Sequence, residues 1–194
     1  MKDITIQAPK VKNAIKFILF IACVHAISAQ KGDTAFIAKD EYDIINTVLG
    51  DQNQKKTLIY KKTCADKGWT VYFSPENFSL ITKKAGIPTV ISDTILKEYL
   101  TDGVLSEVRN AIYKLKPARL QKKQLHKSIK LVNSFDSSTA LKKGVIRISK
   151  PIIINNLAVF RKIGMYEAPV FILKKENGKW NIMYTFYDWL ILED

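Results

Sequence analysis

Residues 144–192 read GVIRISKPIIINNLAVFRKIGMYEAPVFILKKENGKWNIMYTFYDWLIL, and this stretch decides the fold class. Apolar, β-branched and aromatic runs over 145–154, 157–163, 169–174 and 179–192 are parted by short breaks, among them Asn155-Asn156 and Asn177-Gly178. Such side chains suit a pleated, half-buried surface. Asn-Gly between apolar runs is the strongest short hairpin signal, because both residues tolerate the positive φ of a type I′ turn. The pattern predicts an antiparallel meander of about four strands. In the last strand, alternation predicts Trp180, Ile182, Tyr184 and Phe186 on one face and Met183, Tyr187 and Trp189 on the other. Both faces are apolar, so this strand is expected to be central or covered twice. Tyr187, Asp188 and Trp189 are a candidate groove for a sugar ring or peptide, with Asp188 the one acid in an apolar setting.

Working upstream, the period changes. Val104, Leu105, Val108, Ala111, Ile112 and Leu115 fall on one helical stripe while Glu107, Arg109, Asn110 and Lys114 face away, the pattern of an amphipathic helix on a core. Before it, Ser92 caps a helix carrying Ile95, Leu96, Tyr99 and Leu100 up to a break at Asp102 and Gly103. Another starts at Ser74 and Pro75 and closes at Gly86 and Pro88. The first helix of the domain takes Asp40 as N-cap, buries Tyr42, Ile45, Val48 and Leu49, and ends at Gly50. Residues 57–63 and 69–73 read as a hairpin around Asp66-Lys67-Gly68, and 118–127 as a polar helical piece after Pro117. The expected class is α+β, with N-terminal helices packed on one face of a C-terminal antiparallel β-meander.

The first 29 residues carry an address rather than structure. Lys10, Lys12 and Lys16 precede an apolar run from Phe17, and small residues follow at Ser28 and Ala29, the three parts of a secretory signal peptide cut between Ala29 and Gln30. The run is about half the roughly 20 residues of a membrane span, so no permanent transmembrane span is expected after processing. A second version has Phe20-Ile21-Ala22-Cys23 as a lipobox, with the protein lipid-anchored through Cys23. Either way the chain is expected to be extracytoplasmic, in the periplasm, at the cell surface or secreted, with residues 30–194 forming a single domain.

Composition bounds the chemistry. The 194 residues are 47% hydrophobic and 25% charged with a formal net charge of +13, which excludes a disordered chain and a multi-spanning membrane protein. Without the signal, Cys64 and His126 are the sole cysteine and histidine, so no soft or nitrogen ligand pair remains for zinc or copper. No metal or cofactor is expected, and no motif of a hydrolase elbow, phosphate loop or dinucleotide loop is present. His126 reads as a solvated surface histidine and Cys64 as a small buried residue. No catalytic residue is assigned.

Charge distribution says more. Between Glu107 and Asp136 there is no acid, while Arg109, Lys114, Lys116, Arg119, Lys122, Lys123, Lys127 and Lys130 are all basic. Arg119, Lys122, Lys123 and Lys127 form the candidate anion-binding set, suited to anionic glycan or lipid headgroups. Base-stacking platforms need interleaved aromatics. Only Tyr113 qualifies, so sequence-specific nucleic-acid binding is not expected.

The runs Ile148-Ser149-Lys150-Pro151-Ile152, Leu157-Ala158-Val159-Phe160 and Leu173-Lys174-Lys175-Glu176-Asn177-Gly178-Lys179-Trp180, with Trp189 in the strand after them, resemble a C-terminal module of exported proteins of Bacteroidota-type bacteria. The resemblance covers roughly the last 50 residues, and the Ala29-Gln30 junction is similar to signal-peptide ends in such bacteria. Many members carry a Gly- and Cys-rich segment between the second and third strands, where this chain has residues 161–167 instead. The resemblance implies a secreted or envelope protein and no particular activity. The reading is therefore of a non-enzymatic binding or envelope-associated module, with a small carboxylate-dependent hydrolase of envelope polymers as the alternative.

Overall fold

The computed structural model describes residues 37–50, 56–77, 81, 93–133 and 144–190, with backbone alone at Asp93, Trp189 and Leu190. Cys23 and the Ala29-Gln30 junction lie outside them. In chain order the main elements are α1 (Lys39–Leu49), β1 (Thr57–Tyr60), α2 (Asp93–Tyr99), α3 (Asp102–Tyr113), β2 (Ile129–Val132), β3 (Arg147–Ile148), β4 (Ile152–Ile154), β5 (Leu157–Ile163), β6 (Glu167–Glu176) and β7 (Lys179–Leu190).

The α+β class holds, with a C-terminal antiparallel sheet of five strands rather than about four. The expected first strand is two: β3 and β4 both pair with β5, on either side of Ser149-Lys150-Pro151. Proline has no N–H for the ladder. Ser149 spans the break, its N–H donating to the Arg161 carbonyl at 2.9 Å and its hydroxyl accepting the Arg161 N–H at 3.0 Å. The tight turns fall at the expected asparagines, Asn155 at φ 54° and Asn177 at φ 49°, followed by Gly178 at φ 77°.

Both faces of the sheet are covered, not one. On one face Leu157, Val159, Val170, Ile172, Tyr184 and Phe186 pack against Trp69, Phe73 and the α3 stripe of Leu105, Val108 and Ile112. On the other, Ala158, Phe160, Leu173 and Trp180 pack against Tyr42, Ile44, Ile45 and Leu49 of α1, with Ile59 and Ile129. The exchange of faces along β7 comes from a bulge. Leu173 pairs with Ile182 but Ile172 with Tyr184, so Met183 is an extra residue. One extra residue flips the side-chain alternation, so Trp180 and Tyr184 serve opposite cores and the expected single face does not exist.

The predicted hairpin over 57–73 is replaced. β1 pairs in parallel with β2, and Gly68–Phe73 is a 3-10 helix. Trp69, Tyr72 and Phe73 are all buried, and their i, i+3, i+4 spacing is helical as much as it is apolar. Asp66 Oδ1 accepts the Gly68 N–H at 3.0 Å to start that turn. The polar helical piece after Pro117 is mostly extended. Thr63 N–H donates to the Ala118 carbonyl at 2.8 Å and Leu120 N–H to the Lys61 carbonyl at 2.9 Å, leaving a single 3-10 turn at Lys122–Gln124. On its other edge the 57–64 segment meets Ile146 and Ser149 through single bridges at Ile59 and Cys64, which ties the two sheets side by side.

The helices mostly follow expectation with shifted starts. In α1 the N-cap is Ala38, whose N–H is accepted by Glu41 Oε2 at 2.8 Å, and Asp40 lies in the first turn, where a negative charge suits the dipole. Gly50 ends it. A Cβ there would stand 2.4 Å from the Asn46 carbonyl oxygen. In α3, Thr101 is the N-cap, its hydroxyl accepting the Val104 N–H at 3.4 Å, so the break falls just before Asp102 and Gly103 sits inside the first turn. After Ser74, Pro75–Asn77 is a 3-10 turn. Most of the expected 74–86 helix lies outside the described residues, though Ile81 is helical and fully buried.

Candidate functional site

Arg161 lies on β5, alternating with Phe160 so that it shares the face of Val159, and it is only 4% exposed. Leaving a charge there unpaired is very costly, and the surroundings answer it from three sides. One guanidinium nitrogen meets Asp66 Oδ2 at 2.5 Å and another meets Asp188 Oδ2. The Trp69 ring lies 5.9 Å away, within cation–π range. The Tyr72 hydroxyl donates to Asp188 Oδ1 at 2.7 Å. Arg161 Nε is buried without a partner among the described residues.

Burial pushes the Asp66 carboxyl up, but the Gly68 N–H and the Arg161 guanidinium outweigh it and hold it below the usual carboxylate range. Burial, and then the Asp188 carboxylate, push the Tyr72 phenol well above its ordinary value, so it stays a neutral donor. A glycosidase-type acid must keep its proton near neutral pH. Asp66 does the reverse, and both Asp188 oxygens are engaged. The cluster joins the 3-10 segment to the sheet, and its chemistry is that of a structural knot.

Of the expected groove residues Tyr187, Asp188 and Trp189, the two with described side chains, Tyr187 and Asp188, have separate surroundings. Tyr187 is half-buried opposite Pro169, Asp188 bonds inward to Arg161 and Tyr72, and the Trp189 side chain lies outside the described residues. Asp188 follows the buried Phe186 by two residues and so shares its face, and beyond Tyr187 the strand has two residues where β6 has one, between Glu167 and Pro169. Burial raises the Cys64 thiol, against the Asp66 N–H and the charges of Arg147 and Arg161, which leaves it a protonated, weak nucleophile. His126 is half-buried rather than solvated. Its Nδ1 lies 2.7 Å from Ser128 Oγ and its N–H donates to Asn46 Oδ1 at 2.7 Å.

The basic set is spread over a bent segment, not a helix stripe. Arg119, Lys123 and Lys127 are exposed. Lys122 is already committed, its ammonium donating to the carbonyls of His126 at 3.3 Å and of Ile129. Lys62 lies directly opposite Arg119 in an antiparallel bridge, so a residue outside the acid-free stretch joins the set. Sequence spacing alone does not show this, because Lys62 and Arg119 meet only through the pairing of residues 61–63 with 118–120.

Among the described residues no three His, Cys, Asp or Glu side chains gather as a metal-binding group, and no described helix is long and apolar enough to cross a membrane. Compared with protein-family models, curated proteins and solved structures, the chain matches none.

Proposed function

We propose that this is an exported, non-enzymatic binding module whose basic face holds a polyanion, either anionic glycan or anionic lipid headgroups. The observation that supports it best is the side-by-side setting of Lys62 and Arg119, both exposed, next to the acid-free segment that carries Lys123 and Lys127. The basic leader, apolar run and Ala29-Gln30 junction support export, as does the resemblance of the C-terminal segment to exported proteins. Recovery from the native cell of a chain beginning at Gln30, or acylated at Cys23, bears on this. A soluble cytoplasmic form retaining residues 1–29 overturns it.

Binding is tested by changing Lys62, Arg119, Lys123 and Lys127 to Gln and measuring partition onto anionic vesicles and heparin over a salt series. Each basic residue near an anionic surface contributes about 1 kcal/mol, so affinity falls by roughly two to three orders of magnitude at low salt and the salt slope flattens. Because the net charge is +13, a variant with Lys67, Lys97 and Lys179 changed to Gln is the control for charge alone. Equal loss per charge in the two variants overturns the proposal.

A further inference from the structure

Where the first residues of β7 pass α1 lies an open pocket of about 470 Å³, inside the roughly 300–1,000 Å³ typical of ligand sites. Asp43, Asn46 and Thr47 supply the helix wall, at the i, i+3 and i+4 spacing that puts them on one face. Lys179, Trp180 and Asn181 supply the strand wall, just after the Asn177-Gly178 turn. Asn46 is held in place, its amide donating to the Gln124 carbonyl at 2.9 Å and accepting the His126 N–H at 2.7 Å. Trp180 is fixed in the α1-side core at 5% exposure. Over its ring, 5.5 Å from the centre, lies the Lys175 ammonium, which pairs with Asp40 at 2.7 Å. The Trp180 Nε1 is buried without an acceptor among the described residues. Asp43, Lys179 and Asn181 are exposed, and their side chains make no hydrogen bond or ion pair among the described residues.

We propose that this pocket binds a neutral saccharide through its hydroxyl groups. Trp180 is the one apolar residue among the described residues of the lining, and Lys175 lies over its ring, so an alkyl body gains little there and recognition falls to hydrogen bonds. Asp43 can only accept, Lys179 and the indole N–H can only donate, and Asn181 does both. A sugar hydroxyl both donates and accepts, so a ring carrying several of them answers the helix wall and the strand wall together. A zwitterionic amino acid meets the two charges and leaves the Asn181 amide and the indole N–H unanswered. One carboxylate and one ammonium cancel, which gives an anion no advantage here in a chain of net charge +13. Reaching Nε1 requires the rim to give by a side-chain rotamer, and exposed side chains such as Lys179 and Asn181 make such moves within nanoseconds. The pocket shares no residue with the basic face proposed above and stands whether or not that face binds.

The test titrates the protein with maltose, cellobiose and N,N′-diacetylchitobiose, and with glycine and glucuronate as zwitterionic and anionic counterparts, following binding by amide and indole N–H shifts. At least one disaccharide is expected to bind at about 1 mM or tighter. It should bind about tenfold or more tightly than glycine or glucuronate, the factor that one hydrogen bond to a charged group supplies. The shifts should centre on Asp43, Thr47 and Asn181 and include the Trp180 indole N–H. D43A should weaken the sugar about tenfold with unchanged thermal stability, because the carboxylate holds nothing in the free protein. Trp180→Phe keeps an aromatic ring and removes the donor, and should weaken the sugar about threefold or more, whereas K123Q/K127Q should leave it unaltered. Failure of all three disaccharides to bind by about 10 mM, equal binding of glycine or glucuronate, indifference to D43A, or shifts centred elsewhere overturns the proposal.

Discussion

Arg161 occupies a position where an aliphatic residue would continue the run of 157–160, and the side chains around it come from two distant segments, Asp66 and Tyr72 from the 3-10 turn and Asp188 from β7. Removing one member of a buried ion pair strands the other, at about 3–5 kcal/mol. Arg161→Ala should therefore cost about that much in urea unfolding. Asp188→Asn should cost more than Asp66→Asn, because the Asp188 side chain is 16% exposed and that of Asp66 46%. The reverse order would contradict the geometry. Asp66 also sets an acid dependence. Its folded value lies below the ordinary one, so its stabilisation is complete above about pH 4 and is lost as pH falls through the lower folded value. The stability gap between the natural protein and Asp66→Asn should shrink as pH drops below about 4, and a constant gap down to the acid limb refutes this. Asp188 was legible as an acid in an apolar setting. Its partner was not, because nothing in the local pattern joins position 161 to positions 66 and 188.

At the scale of elements, legibility followed period and length. The α3 stripe was readable because it repeats over three turns, and Leu105, Val108 and Ile112 are indeed its buried residues. The Asn-Gly hairpin was readable from its turn chemistry alone. Residues 69–73 failed because five aromatic and β-branched residues fit a strand and a tight helix equally well, and tertiary packing on the sheet decides between them. The 118–127 segment failed because its buried residues, Ala118, Leu120 and Leu125, lack helical spacing. Its partners are 55 positions or more away at Thr63 and Lys61. The Met183 bulge is invisible to alternation, which assumes a period of two throughout. Deleting Met183 closes the bulge with Ile182 still opposite Leu173 and Tyr184 still opposite Ile172, whereas deleting Thr185 keeps the bulge and turns Phe186 toward the α1 side or drags the strand out of register. The Thr185 deletion should abolish cooperative unfolding, whereas the Met183 deletion should stay cooperative and Met183→Ala should cost only about 2–5 kcal/mol. Equal effects of the two deletions would mean that the bulge carries no register information.

For the whole molecule, one sheet divides two cores, and the α+β class could be read ahead of the structure because the helical and strand patterns are segregated along the chain. What could not be read is the parallel β1–β2 pair, which joins Thr57 to Ile129, a separation of 72 residues. Its consequence lies in the order of assembly. Closing a loop of that length costs about 3 kcal/mol more chain entropy than closing a two-residue hairpin turn, so β5, β6 and β7 can zip locally while β1 waits. In pulse-labelling during refolding, the amides of Thr57 and Lys61, bonded to Ser128 and Val132 at 3.0 and 3.1 Å, should gain protection after those of β6 and β7. Simultaneous protection would show that the two sheets form as one unit. A growing chain therefore exposes the apolar strand Thr57–Tyr60 through the synthesis of some 70 further residues, at about 5–20 residues per second. For those seconds, Leu58 and Ile59 are open to pairing with another chain.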